Sequence, residues 1–376
     1  MTLNTISFPQ GASRPIRIRI DPSALSHNLA CLRARLACRD SVPRLWATVK
    51  ADAYGHGLAR LLPTLRAADG LAVLDLRDAW RAIEHGWTGR ILVLAGLYNA
   101  DEANHLPDLP LDLVITSNRQ LHWLALAEPQ HAPALWLRYC SDMHHGGFDE
   151  KSYRDAYRHA CHLRDTRRAS FVGHLSHYAC AENAVRRDAC DVQFDRVIAD
   201  LPGPVSRANS AAVLGDASAR PHENWVRTGL ALYGASPLPG ISAEALGLRP
   251  VMKLTTEVIA VRKVQTGASV GYGGDFVAPR PMRIGVVAAG YADGYPRYAP
   301  TGTPVCVGRL PSRVLGRVGM DSMAIDLTDL PHADPGAEVT LWGTSELPVE
   351  TIAQAAGTIS AQLLCGVNPR IAVQLC

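Results

Sequence analysis

The chain has 376 residues, of which 47% are hydrophobic and 19% charged, so it is globular and long enough for about two domains. Its 38 basic and 35 acidic residues leave a formal net charge of +3. That balance excludes the footprint of a nucleic-acid binder or of a protein held on an anionic membrane, and makes small molecules the expected partners. Nine cysteines (Cys31, Cys38, Cys140, Cys161, Cys180, Cys190, Cys306, Cys365 and Cys376) form no C-x-x-C pair and no Cys/His ligand spacing, so no metal site is expected. They read as free thiols of a reducing compartment. No apolar run approaches the roughly 18 residues of a membrane span, and the opening MTLNTISFPQGASRP lacks a basic stretch followed by an apolar one, so the expected location is the cytoplasm.

In chain order, IRIRID (16–21) alternates cleanly, and this strand suits pairing with a β domain later in the chain. Eight short apolar runs follow: LWATVK (45–50), LAVLDL (71–76), ILVLAG (91–96), LDLVIT (111–116), ALWLRY (134–139), FVGHLSH (171–177), PVSRANS (204–210) and WVRTGLALYG (225–234). Between them, stretches such as GLARLLPTLRAA (57–68) and DEKSYRDAYRHACHLR (149–164) repeat apolar residues at three and four, as helices do. This rhythm predicts an α/β fold, a (β/α)8 TIM-type barrel, over 22–240. A doubly wound open sheet is the alternative, but no G-x-G-x-x-G follows any of the runs. GASPLPG (234–240) is the best linker. Beyond it the texture changes to runs rich in Val, Thr and Ile broken by glycine, which predicts a C-terminal mainly-β domain over 241–376, joined by the N-terminal strand 12–21.

Lysine is scarce: only Lys50, Lys151, Lys253 and Lys263 occur, the remaining basic residues being arginine. Lys50 closes the first barrel run and precedes ADAYGHG, which places its amine at the C-terminal face where barrels keep their active sites. An amine among apolar neighbours loses solvation, its pKa falls, and it can form a Schiff base with a carbonyl. An ordinary surface lysine at a strand end carries about equal weight on this reading alone.

VKADAYGHG resembles the pyridoxal-phosphate lysine motif of the alanine racemases, and the resemblance continues in order along the chain. HLSHYACAEN (174–183), RANSAAVL (207–214) and WVRTGLALYG follow in the barrel, then VGYGGDF (270–276), GYADGYPR (290–297) and VLGRVGMDSMAIDLT (314–328) in the β domain. The resemblance implies a homodimer with shared active sites, a small amino acid as substrate, and pyridoxal 5'-phosphate as cofactor. It implies that Lys50 carries the cofactor, that Tyr54 is close to its phosphate while Ser210 and Gly229 bind the phosphate oxygens, that His177 stacks on or hydrogen-bonds around the pyridine ring, and that Asn209 lines the pocket. Arg227 would face the ring nitrogen; its own pKa exceeds about 12, so it leaves that nitrogen without a proton and the ring a weaker electron sink. Racemisation needs two acid/base groups on opposite faces of Cα, and the resemblance supplies Lys50 and Tyr272, the latter from the second chain. Tyr291 and Met320, also from the second chain, would bound the substrate pocket.

Three positions leave the family's pattern. Arg138 stands where the family often carries a carbamylated lysine, His145 where it carries an arginine that contacts the cofactor's phenolic oxygen and the substrate carboxylate, and Ala361 where it carries a tyrosine near the phosphate. A permanently charged clamp becomes, at His145, a group with a reference pKa of about 6.5, and Arg138 could reach in to replace it. All three changes surround the substrate. They would suit an altered amino acid, or a different carbanion reaction on the same cofactor such as decarboxylation, aldol chemistry or C–C bond formation. A cofactor carrier without turnover is disfavoured by the β domain bearing Tyr272 and Met320.

Overall fold

The structure is a computed structural model describing residues 14–37, 41–128, 131–215 and 223–376, and residues 12 and 13 of the expected first strand lie outside these. The chain divides into two compact units, one of Pro22–Val251 and one of the residues up to Asp21 with Met252–Cys376. The passage between units thus falls after Val251 and not after Gly240. The segment following GASPLPG stays with the barrel because Asn28 Nδ2 donates to the Arg249 carbonyl (2.8 Å), the Arg249 amide donates to Asn28 Oδ1 (2.7 Å), and Leu246 and Leu248 are buried.

Strand β1 (Arg17–Ile20) belongs to the β unit; the barrel strands are β2 (Arg44–Thr48), β3 (Gly70–Val73), β4 (Arg90–Val93), β5 (Leu111–Ile115), β6 (Ala134–Arg138), β7 (Val172–Leu175), β8 (Val205–Ser206) and β9 (Trp225–Thr228). β2 through β8 are parallel neighbours in sequence order, and β9 pairs beside β2. The ring closes between β8 and β9, where the Asn224 amide donates to the Val205 carbonyl (2.9 Å) and the Arg227 amide to the Ala208 carbonyl (2.9 Å). Each expected run overlaps its strand, although β2, β3 and β4 begin one residue before their runs, at Arg44, Gly70 and Arg90. The runs at 171–177 and 204–210 overshoot: β7 ends at Leu175, although the Ser176 amide still donates to the Ser206 carbonyl (3.0 Å), and β8 ends at Ser206, before the short helix that starts at Ser210.

Strand alternation sends one residue from most strands into a common interior: Trp46, Ala72, Leu92, Val114, Trp136, Leu175 and Trp225 form one cluster. Trp46 stacks on Trp225 at 4.0 Å between ring centroids and meets Trp136 edge-on at 5.1 Å. Below them Asp112 is fully buried, accepting from Trp136 Nε1 (2.6 Å) and from Arg90 Nη2 (3.1 Å). The same period of two carries the inward set onward within the strands, from Trp46 to Thr48, from Trp136 to Arg138 and from Trp225 to Arg227, with Lys50 two residues beyond Thr48 and His177 two beyond Leu175.

In the β unit, β10 (Met252–Val264) pairs antiparallel with β1, with Met282–Val287 and with Glu338–Trp342. These strands, together with Met323–Asp326, Leu310–Leu315 and Pro304–Val307, close a ring, while β1 lies outside it between β10 and Ala372–Leu375. Among the described residues no helix is long and apolar enough to cross a membrane.

Candidate active site

The site is built on the C-terminal ends of the barrel strands. Val49 follows β2 with its amide donating to the Ala72 carbonyl (2.8 Å), and Lys50 comes next. The next four residues, Ala51, Asp52, Ala53 and Tyr54, all have φ between 53° and 56°, a turn of left-handed helix made without glycine. Each such residue costs about 1–2 kcal/mol, so the surroundings must hold the turn. Asp52 Oδ1 accepts from the Leu58 amide (2.9 Å), the Gly55 amide donates to Ala51 (2.9 Å), and His56 Nδ1 donates to the carbonyls of Tyr54 (2.9 Å) and Ala53 (3.0 Å). Tyr233 stacks on both Tyr54 (4.9 Å) and His56 (4.6 Å) and ties its own hydroxyl to the Thr48 carbonyl (3.0 Å). Burial pushes the His56 pKa down to about 4, so it is neutral. His56 and Tyr233 were not singled out from the sequence, although YGHG and LALYG contain them; nothing in a linear motif signals a left-handed turn.

The turn delivers Tyr54 to Gly229. A Cβ at Gly229 would stand 2.6 Å from the Tyr54 hydroxyl oxygen, so only glycine permits the approach. The Gly229 amide points at Ser210 Oγ (2.9 Å) and the Ala231 amide at the same oxygen (3.4 Å). Asn209 caps the short helix Ser210–Leu214 through its side chain, which accepts from the Ala212 amide (3.0 Å), and so fixes Ser210 rather than reaching away from the backbone. The Tyr54 and Ser210 hydroxyls and two backbone N–H groups thus converge on one small cup, a donor set suited to a phosphate.

Beside it Arg227 is buried, with Nη1 on Ser206 Oγ and Nη2 on the carbonyls of Ser176 (2.6 Å) and Arg207 (3.3 Å). Burial lowers its pKa to about 10, with the nearby Arg138 charge acting in the same direction and Glu223 opposing; it stays protonated at neutral pH. Arg227 Nη2 also donates to His177 Nδ1 (3.2 Å). Burial, then the charges of Arg227, Arg138 and Lys50, push the His177 pKa to about 3. His177 is therefore neutral, accepts at Nδ1 and carries its proton on Nε2. Glu223 accepts from the amides of Arg207 (2.7 Å) and Ala208 (2.6 Å), shaping the loop that leads to Ser210.

Lys50, Tyr54, Arg138, His177, Asn209, Ser210, Arg227 and Gly229 thus occupy one end of the barrel. His145 does not join them: it lies exposed on the loop after the left-handed residue His144 and has no partner among the described residues. Tyr272, Tyr291, Met320 and Ala361 belong to the β unit. There the Tyr291 amide donates to Gly319 (3.0 Å), the Ala292 amide to Met320 (2.9 Å), and a Cβ at Gly319 would stand 3.5 Å from Tyr272 Cε2. These contacts gather three exposed side chains, Tyr272, Tyr291 and Met320, around one loop. Buried Asp293, which takes Arg14 (2.6 Å), Arg370 (2.8 Å) and the Gly290 amide (3.0 Å), anchors that loop. Ala361 sits on the helix Ser360–Cys365.

A lysine beside an anion cup and a buried arginine on a parallel barrel, with a β unit in the same chain, defines an enzyme of the class that holds a phosphorylated carbonyl cofactor. The residues fit pyridoxal phosphate on the Gly229 approach and the shared Ser210 oxygen alone. The family model for the alanine racemase N-terminal domain matches residues 20–237 and that for the C-terminal domain residues 251–375. The chain is 42% identical to an alanine racemase of Bordetella petrii over 371 residues, 96% of this chain and 99% of the relative. It is 43% identical to one of Nitrosomonas eutropha, covering 95% and 98%. Among solved structures, the biosynthetic alanine racemase of Pseudomonas aeruginosa superposes with a TM-score of 0.90 at 40% identity, covering 97% of this chain and 100% of that one. The alanine racemase of Bartonella henselae with covalently bound pyridoxal phosphate superposes at 0.83 with 25% identity, covering 97% and 100%. The chain belongs to the alanine racemase family.

Proposed function

We propose that the protein is a pyridoxal-phosphate-dependent isomerase that interconverts L- and D-alanine in the cytoplasm, as a homodimer with shared active sites. The observation that carries this reading is the grouping of Lys50 with the Ser210–Gly229–Tyr54 cup and Arg227 at one end of the barrel. The eight described cysteines are free thiols, in keeping with a reducing compartment. The exposed trio Tyr272, Tyr291 and Met320 suits insertion into the barrel mouth of a second copy. Racemisation is favoured over the other carbanion reactions because the relatives at 42–43% identity are named alanine racemases over nearly their whole length.

Bound pyridoxal phosphate supplies an electron sink that makes the Cα proton of an amino acid removable. Tyr54, Ser210 and the Gly229 amide would hold its phosphate, and Arg227 would donate to its ring nitrogen. Because Arg227 keeps its own proton at neutral pH, it would offer that nitrogen a hydrogen bond without a proton, so the electron withdrawal it adds would be weak. Neutral His177, with Nδ1 engaged by Arg227, offers only a donor to the pocket. Lys50 then takes the Cα proton on one face or returns it, and Tyr272 of the second copy does so on the other, since one base alone would restore the original enantiomer.

The test is borohydride reduction of the purified protein followed by peptide mapping. A reduced pyridoxal adduct on Lys50, lost in Lys50→Ala, is expected. Native protein that takes up no cofactor from saturating pyridoxal phosphate would overturn the reading.

A further inference from the structure

We propose that Arg138, and not His145, holds the carboxylate of the amino acid substrate. The inference rests on the function proposed above and adds the residue that orients the substrate in the pocket.

Arg138 is the last residue of β6, two residues beyond inward-facing Trp136, so the alternation of the strand aims it into the mouth of the barrel. Its Nε is buried without a hydrogen-bond partner, and among the described residues no carboxylate or carbonyl pairs with its guanidinium. Among the described residues the other arginines that the interior encloses are engaged: Arg90 by Asp112, Arg187 by Asp188, Arg207 by Asp191 and Asp195, Arg227 by Ser206 and the carbonyls of Ser176 and Arg207. A half-buried guanidinium with idle donors is costly unless something else satisfies it. Its charge reaches both His177 and Arg227, lowering their pKa values, so it lies in the same electrostatic pocket as the groups that face the cofactor. Its stem is fixed: Gly147, at φ +102°, packs where a Cβ would come 2.6 Å from the Arg138 carbonyl and 3.1 Å from its Cγ.

An anion is therefore wanted opposite Arg138. The phosphate has its own cup and the ring nitrogen has Arg227, which leaves the cofactor's phenolic oxygen and the carboxylate that every amino acid carries, and of these only the carboxylate presents two oxygens to a guanidinium. A guanidinium matches a carboxylate with two parallel N–H bonds, and its fork geometry would hold the substrate with Cα presented to the bases. His145 offers no such placement, being exposed on the loop beyond the strand end.

The probe is propionate, which is alanine without its amino group, titrated calorimetrically into cofactor-loaded protein and used as a competitive inhibitor. Arg138→Met is expected to weaken propionate binding and raise KM for alanine about ten- to a hundredfold, the range of a lost charge-assisted bond, with kcat changed less. Arg138→Lys should recover part of both, and borohydride-fixable cofactor should stay at the native level. His145→Ala should leave propionate affinity within about twofold of native. Native protein provides a reading that needs no variant. Between about pH 6 and pH 8 neutral His177 (pKa about 3), Arg227 (about 10), and Arg138 itself keep their charge, and burial holds the Cys140 thiol protonated. Propionate inhibition should be flat across that window, whereas a histidine clamp would release propionate as pH rises through about 6.5.

Unchanged propionate affinity in Arg138→Met, or native affinity that falls through about pH 6.5, would overturn the proposal. So would an altered cofactor absorbance in Arg138→Met at unchanged propionate affinity, which would assign Arg138 to the cofactor's phenolic oxygen. Cofactor-loaded protein that binds propionate through Arg138 but does not racemise alanine would sink the racemase reading and leave this one standing.

Discussion

Replacing Gly229 by alanine tests the cup where the structure is most explicit. The added Cβ would stand 2.6 Å from the Tyr54 hydroxyl oxygen and 3.1 Å from its Cζ. Ordinary contact needs about 3.4 Å or more, so the hydroxyl must retreat by about 0.8 Å. The ring has little room to do so, because Tyr233 stacks behind it and is itself fixed by the Thr48 carbonyl. A hydroxyl–phosphate bond of about 2.7 Å would stretch to about 3.5 Å and cease to be a hydrogen bond. Losing one bond to a charged group costs about 1.5–3 kcal/mol, or about ten- to 150-fold in the dissociation constant of pyridoxal phosphate. Equilibrium titration of cofactor-free protein reads this directly. The cost should be non-additive with Tyr54→Phe, since removing the hydroxyl removes both the clash and the bond. Affinity within about twofold of native in Gly229→Ala would refute the convergence of Tyr54 and Gly229 on one phosphate.

Tyr272→Phe should keep the cofactor bound and slow Cα exchange from one enantiomer of alanine at least about a hundredfold more than from the other; equal, small losses would remove Tyr272 from the proton-transfer pair. Thermal stability should fall between about pH 6.5 and pH 4. Buried His56 and His174 and half-buried His177 are neutral with pKa values of about 4, 4 and 3, all depressed, so their contribution is present above the unfolded value of about 6.5 and lost as pH falls. Asp112, raised by burial to about 6, acts oppositely, its contribution fading as pH rises, but it is one group against three. A melting temperature by calorimetry that holds level across that range would contradict this balance. Gly70→Ala places a Cβ 2.7 Å from Trp46 Cδ1, a ring already wedged between Trp225 and Trp136, and should lower stability by about 1–3 kcal/mol in urea titration. An unchanged midpoint would show that the tryptophan cluster yields.

The barrel was legible because each buried parallel strand is a short apolar run with its own amphipathic helix to follow, a pattern that composition and period carry without tertiary information. The stretch 241–251 was not, since proline and glycine in GASPLPG mark a turn of the chain but say nothing of the Asn28–Arg249 bonds that return the chain to the barrel. The strand ends were overdrawn for a related reason: Ser210 continues its run in sequence while its backbone has entered a short helix, and Ser176 and His177 continue theirs past the end of β7. Lys50, Ser210, Arg227 and Gly229 could be found because they sit in compact motifs. The roles of His56, Tyr233 and Glu223 depend on what folds against them, and the contrast between Arg138 and His145 depends on strand phase and exposure, which residue identity alone leaves open.

The most direct test follows cofactor-loaded protein with L-alanine in deuterium oxide, measuring together the label at Cα and the enantiomer formed. D-alanine should accumulate toward equality with the L form, carrying solvent deuterium at Cα, and the same mixture should arise from D-alanine. Cα labelling with complete retention of configuration, or loss of carbon dioxide from the substrate, would contradict two-sided proton transfer between Lys50 and the second copy's tyrosine.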